Sequence, residues 1–125
     1  SDLILSLLVD DKGIIQGYRI ISDTRAPPFI RMTAHTAARA LMGLAKIDEA
    51  RCINTPPAEG ERPFEGVLIK QTCRQEVDGR RATVTARAYL KPGQNLIDPF
   101  TQQPLPNAFE SFSSLEVVNA SALKR

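Results

Sequence analysis

The sequence has little of the residues that most often carry chemistry: one histidine, two cysteines and no tryptophan. These residues cannot form a tetrahedral zinc site without carboxylates from elsewhere, and no HxH, CxxC or HExxH spacing occurs. The seven glycines are scattered and form neither GxGxxG nor GxxxxGK. We therefore expect no metal, no cofactor and no nucleotide site of the common kinds.

A long apolar segment and a large excess of one charge are also missing. No apolar run approaches the roughly 20 residues of a membrane-spanning helix, so we expect no transmembrane segment. The formal net charge is only +2, which is too small to indicate a nucleic-acid partner by itself. The chain starts at Ser1 rather than at a methionine, and we expect it to be a processed or truncated form.

The length and the turn signals predict a single α+β domain over residues 1–125. Leu3 to Val9 and Ile14 to Ser22 are predicted strands, joined by a DDKG turn at residues 10–13 in which the glycine is left-handed. Both strands carry apolar residues on both faces. We therefore expect this first hairpin to be central in the sheet or covered on both sides.

One helix is expected next. Thr33 suits the N-cap, and good helix formers extend from Ala34 to about Lys46. An apolar stripe at helical spacing is predicted to pack on the sheet, burying Ala37, Leu41 and Leu44. The full stripe is Ala34, Ala37, Ala38, Leu41, Leu44 and Ala45.

The clearest hairpin signal is Asp78-Gly79, between the predicted strands Gly66 to Val77 and Arg80 to Leu90. With these two residues in the turn, one face of the hairpin is mostly apolar and the other mostly polar. A slip of one residue would mix the faces, which supports the register. The apolar face then has the pairs Gln75–Ala82, Cys73–Val84, Gln71–Ala86, Ile69–Ala88 and Val67–Leu90.

The last part of the chain is predicted to be a proline-rich loop, Lys91 to Ser111, a strand, Phe112 to Val118, and a short tail. A loop of this length is usually functional or packs as an irregular cover. The expected order is ββαβββ: an antiparallel sheet of about five strands with one helix packed on it.

The two cysteines, Cys52 and Cys73, are predicted to form a disulfide. Cys73 points inward in the predicted register, and Cys52 follows the end of the helix that must lie over an apolar sheet face. The alternative is two buried thiols. A disulfide requires an oxidising compartment, which slightly favours a periplasmic or extracellular location.

The most informative cluster lies on the polar face of the second hairpin. Lys70 and Arg87 are opposite each other in the predicted register, and like charges there are destabilising unless they are solvated or meet an anion. With Arg74 and Tyr89 they form the predicted binding residues. Their predicted neighbours on this face are Thr72, Thr83, Thr85, Arg81 and Lys91, with Glu76 as the one acid.

We expect a non-catalytic interaction module that presents this basic face, or the proline-rich loop, to a protein or another anionic partner. A merely solvated face is the simpler interpretation of such charges. An exposed apolar patch or an open strand edge would favour an interaction module.

The alternative function is a small enzyme or a small-ligand-binding protein. Arg25, Arg31 and His35 would bind an anionic ligand in a cleft between the helix start and the sheet, where backbone amides favour anions. A deep pocket containing His35 would favour this function. No catalytic residue is assigned, because no spacing brings a proton partner to His35, whose simplest interpretation is an exposed residue.

Overall fold

The computed structural model describes residues 3–23, 33–93, 98–102, 105 and 108–120. They form an antiparallel sheet of six strands with one α-helix, which confirms the α+β class. The strands lie in the order β1-β2-β6-β5-β4-β3. The elements are β1 Leu3–Val9, β2 Ile15–Ser22, α1 Ala37–Ala45, β3 Cys52–Asn54, β4 Ile69–Val77, β5 Arg80–Leu90 and β6 Phe109–Asn119.

The sheet has one strand more than the five predicted. The additional strand is β3, whose three residues pair antiparallel with β4 at the edge of the sheet. Three residues contain too little alternation to predict a strand. The last strand, β6, begins at Phe109 rather than Phe112 and lies between β2 and β5, so it joins the two hairpins.

The register predicted for β4 and β5 is confirmed. Asp78 and Gly79 have φ angles of 52° and 75°, as a two-residue turn with two left-handed residues requires. Pairing then runs along both strands without interruption. The observed pairs include Val77–Arg80, Gln75–Ala82, Cys73–Val84, Gln71–Ala86 and Ile69–Ala88.

The open end of this hairpin differs from the prediction. β4 begins at Ile69 rather than Gly66, so Val67 does not pair with Leu90. Leu90 instead exchanges two backbone hydrogen bonds with Arg62, at 2.7 and 3.2 Å. The loop that precedes β4 therefore supplies the partner for the end of β5.

The first hairpin has the predicted turn, but it lies at the edge of the sheet rather than at its centre. Asp10 Oδ1 accepts hydrogen bonds from the backbone N–H groups of Lys12 and Ile14, both 2.9 Å, and Gly13 has a φ of 80°. The prediction that this hairpin is central or covered on both sides is wrong, because β1 is an edge strand. The side chain of Leu5 is 64% exposed.

The helical segment begins with a 3-10 turn at residues 34–36, so the α-helix starts three residues later than predicted. The helix ends at Ala45, and its C-cap residue Lys46 has a left-handed φ of 59°. Its backbone N–H donates to the carbonyl of Gly43, which closes the helix.

The buried face of α1 is rotated relative to the predicted stripe. Leu41 is buried as predicted, but Leu44 is 61% exposed and Ala37 is only partly buried. Ala38, which belongs to the predicted stripe, is buried, and so is Met42, which does not. Because each residue turns the helix by about 100°, a face centred on Ala38 and Leu41 leaves Leu44 at its margin.

The main core lies between α1 and the sheet. Alanines at alternate positions of β5 let the helix approach closely. Beyond this core, Phe64 stacks on Phe109 with ring centroids 5.6 Å apart, beside Leu90. The buried residues of the main core are Ala38, Leu41, Met42, Ile47, Cys73, Ala82, Val84, Ala86, Leu115 and Val117.

The sulfur atoms of Cys52 and Cys73 lie at disulfide-bonding distance, as predicted. The two residues are directly opposite each other on β3 and β4, with Cα atoms 3.9 Å apart. Cys73 is buried. A disulfide between them would fasten β3, the shortest of the described strands, to the sheet.

Leu41→Ala is expected to lower the free energy of unfolding by about 2–5 kcal/mol, because it leaves a cavity in the main core. Leu44→Ala removes the same atoms from an exposed position of the same helix and should cost less than about 0.5 kcal/mol. Urea denaturation of both variants measures the difference. Equal losses would contradict the orientation of α1.

Thiol titration of the denatured, unreduced protein is expected to find no free thiol. Reduction should then lower the free energy of unfolding by about 3 kcal/mol, because the disulfide closes a loop on the order of 20 residues. Cys52→Ser, titrated in the same way, should expose the thiol of Cys73. Two reactive thiols in the wild-type protein would disprove the disulfide.

Candidate binding face

The sheet face opposite α1 carries the predicted binding residues. Even-numbered side chains of β5 are buried on the helix side, and odd-numbered ones lie on the other side. Cross-strand pairing places the even-numbered residues of β4 and β6 beside these odd-numbered residues of β5, on the side away from α1. We call this side the outer face. Lys70, Arg74, Arg87 and Tyr89 all lie on it.

Three rows of cross-strand neighbours organise the outer face. Successive rows are two residues apart, or about 6.8 Å along the strands. The middle row presents hydroxyl groups, and an arginine lies in the row on either side. The rows are Arg74–Thr83–Glu116–Arg19, Thr72–Thr85–Ser114–Ile21 and Lys70–Arg87–Phe112.

Lys70 contacts an acid from the loop before β4. Its Nζ lies 2.8 Å from Glu61 Oε1, and the two side chains are only 17% and 10% exposed. The backbone N–H of Ala58 donates to the same oxygen. Lys70 Nζ also lies 5.4 Å from the centroid of the Tyr89 ring. The positive charge of Lys70 is therefore neutralised within the protein.

The pKa values of Glu61 and Tyr89 are both shifted in this part of the outer face. The hydrogen bond from Lys70, followed by the one from the Ala58 backbone, lowers the pKa of Glu61 below its ordinary 4.5. The contribution of Glu61 to stability is thus present above its unfolded-state pKa and is lost as the pH falls through its folded-state pKa. Burial, reinforced by the Glu61 carboxylate, raises the pKa of Tyr89 above its ordinary 10.0.

Arg87 lies opposite Lys70, as the predicted register requires. Its guanidinium carbon is 4.3 Å from the centroid of the Phe112 ring, a cation–π contact that holds the planar group over β6. Because Glu61 neutralises Lys70, the like-charge repulsion between the two residues is reduced. Arg87 keeps its own charge on the outer face.

Arg74 lacks the acidic partner that Arg19 and Arg81 have on the same face, among the described residues. Arg19 Nη2 lies 2.8 Å from Glu116 Oε2, and Arg81 Nη2 lies 3.5 Å from Glu76 Oε1. Arg74 is exposed and forms no ion pair with any acid in the described part of the chain.

An open groove of about 470 Å³ runs between Arg74 and Arg87. Hydroxyl groups both donate and accept hydrogen bonds, and a guanidinium offers two parallel donors that match the oxygens of a carboxylate or a phosphate. The groove is thus suited chemically to an oxyanion. Its walls and floor consist of Arg19, Ile21, Arg74, Thr83, Thr85, Arg87, Phe112, Ser114 and Glu116.

Sequence reasoning missed the half of the groove that β2 and β6 supply. Phe112, Ser114 and Glu116 are alternate residues of β6 and therefore lie on one face of the strand, which the sequence alone can predict. The position of β6 beside β5 cannot be predicted from this alternation, because it depends on pairing between strands that are far apart in the sequence. Glu61 was missed for a related reason, since it lies in a loop.

The predicted alternative site corresponds to a cavity of about 240 Å³ near the helix start. The backbone N–H of His35 donates to Ser111 Oγ at 3.3 Å, which connects this turn to β6. Arg25 and Arg31 lie outside the described residues. The described lining is Thr33, His35, Phe64, Glu65, Val67, Ala88, Tyr89, Phe109, Glu110 and Ser111.

Among the described residues, no group of three or more His, Cys, Asp or Glu side chains could hold a metal ion. In the same ranges, no helix has both the length and the apolar character that a membrane crossing requires.

Glu61→Gln is expected to lower the pKa of Tyr89 part of the way to its ordinary 10.0. The substitution removes a nearby negative charge that disfavours the tyrosinate, whereas the burial of the ring remains. Ultraviolet absorbance of tyrosinate against pH, recorded in a Tyr18→Phe background, reports Tyr89 alone because the chain has two tyrosines. Glu59→Gln is the matched control and should leave the pKa unchanged. An unchanged pKa of Tyr89 in Glu61→Gln would contradict the influence of the Glu61 carboxylate on Tyr89.

No protein-family model, curated protein or solved structure matches the chain.

Proposed function

We propose that this chain is a non-catalytic interaction module that binds an acidic segment of another protein on its outer face. The observation that carries the proposal is the row of hydroxyl groups between Arg74 and Arg87. The two arginines approach this row from opposite sides. A carboxylate seated there would receive charge-assisted hydrogen bonds from both and further ones from Thr85 and Ser114.

The electrostatics of the groove support binding rather than simple solvation. Lys70, Arg19 and Arg81 each have an acidic partner, whereas Arg74 and Arg87 form no ion pair within the described residues. The contact of Arg87 with Phe112 also fixes its guanidinium group in advance, so less side-chain entropy is lost when an anion binds.

Acidic protein segments suit this face better than nucleic acid does. Single-stranded nucleic acid binds through aromatic rings on which bases stack. Here Arg87 lies over Phe112 and Lys70 lies over Tyr89. Carboxylates need no exposed ring and use only the arginine and hydroxyl donors.

An oxidising compartment, periplasmic or extracellular, is part of the proposal. Its support is the Cys52–Cys73 pair at bonding distance, because such bridges persist where thiols are not kept reduced.

A second candidate function is the binding of a small ligand in the cavity beside His35. The aromatic wall formed by Phe64 and Phe109 favours it. The volume of about 240 Å³ is below the about 300–1,000 Å³ of sites for drug-sized ligands. The described wall also carries two carboxylates, Glu65 and Glu110, which disfavour the anionic ligand predicted from Arg25 and Arg31. We therefore place this function second.

The double variant Arg74→Ala/Arg87→Ala is expected to bind poly-L-glutamate about tenfold more weakly than the wild-type protein at low ionic strength. Two exposed charge contacts of up to about 1 kcal/mol each are lost. Wild-type binding should itself weaken as salt is raised, because the screening length falls to about 10 Å at 0.1 M. Isothermal titration calorimetry measures both effects.

The matched control is Arg39→Ala/Arg51→Ala, which changes the net charge equally. These arginines are exposed, on α1 and on the 3-10 turn before β3. Their replacement should leave the affinity almost unchanged. Equal weakening in both double variants would mean that net charge alone governs binding, and the outer face would no longer be the site.

A further inference from the structure

The two edges of the sheet are protected to different degrees. At one edge, β3 has only three residues and a disulfide fastens it to β4. At the other edge, β1 has seven residues, and no described segment pairs with its free edge, which is the edge away from β2. The backbone N–H and C=O groups on that side point away from β2 and are a template for another strand.

The composition of β1 offers none of the usual protection against strand pairing. Natural edge strands are commonly blunted by lysine, proline, inward-pointing charges, shortness or β-bulges; the pairing of β1 with β2 shifts register only at the end of β1, between Leu8 and Val9. β1 reads LILSLLV and contains no charge and no proline. Its apolar side chains are exposed on the side of the sheet that carries α1: Leu3 is 40%, Leu5 64% and Leu7 58% exposed.

We propose that β1 pairs antiparallel with β1 of a second copy of this chain, about a two-fold axis at Ser6. The two sheets then continue into one. Directly opposite residues of antiparallel strands lie on the same face, so both copies of α1 lie on the same side. The pairs across the axis are Leu3–Val9, Ile4–Leu8, Leu5–Leu7 and Ser6–Ser6.

The sequence of β1 identifies a second copy as the partner. It is nearly palindromic about Ser6, so self-pairing places an apolar residue opposite an apolar residue at every position beside the axis. A charged residue at any position of β1 other than Ser6 would face an apolar residue of the second copy and oppose the pairing, and none is present. Self-pairing also places the exposed leucines of the two copies beside one another in one apolar strip, where cross-strand neighbours shield each other in part.

Sedimentation-velocity runs over a range of protein concentrations test the pairing, with Leu5→Lys as the disrupting variant. We expect a wild-type dimer, and at least about tenfold weaker association in Leu5→Lys, since the change occurs twice at the interface. The matched control is Leu44→Lys, because Leu44 is 61% exposed on α1 and Leu5 is 64% exposed on β1. The control should dimerise as the wild type does, and circular dichroism checks that both variants fold.

Oxidative cross-linking of Ser6→Cys provides a second measurement. Residue 6 meets its own copy at the axis, so a covalent dimer should form, whereas Leu44→Cys should remain largely uncrosslinked. A wild-type protein that is monomeric at every concentration would overturn the proposal. A dimer that persists in Leu5→Lys, or equal cross-linking in the two cysteine variants, would overturn it as well.

Discussion

In the part of the chain that the structure describes, one short helix has to cover a six-stranded sheet, and the rest of the structure depends on this mismatch. The nine residues of α1 span about 13 Å, whereas six strands extend over about 24 Å across the sheet. The helix therefore packs where β5 and β6 lie side by side. The core forms there, around Val84 and Leu115, and the leucines of β1 remain beyond its reach.

The same mismatch leaves the outer face to solvent, because no helix of the described residues lies on it. Long polar side chains cover this face, and most of its charges are balanced locally, as in Lys70–Glu61 and Arg19–Glu116. Local balance matters on a sheet because cross-strand neighbours are only about 5 Å apart. Arg74 and Arg87 form no ion pair within the described residues, and for this reason we propose that they, rather than Arg19 or Lys70, bind the partner.

Local signals in the sequence determined what could be predicted. The Asp78-Gly79 turn fixes its own register, since a hairpin needs only its turn and the alternation beside it. The place of β6 between β2 and β5, the contact of Glu61 with Lys70 and the rotation that buries Met42 instead of Leu44 all depend on tertiary packing. No spacing within the sequence encodes such contacts. The groove was therefore predicted only in the half that one hairpin supplies.

The proposed pairing of β1 gives the outer face a further property. A two-fold axis perpendicular to the sheet keeps both outer faces on the same side, so the two grooves would open in the same direction. Each groove is centred between β5 and β6, about three strand spacings from the axis, which separates the two by roughly 30 Å. Two weak sites held at a fixed separation bind a partner with matching acidic segments far more tightly than one site does. The exposed edge of β1 and the arginines of the outer face would then serve one purpose, because dimerisation would compensate for the modest affinity of each groove.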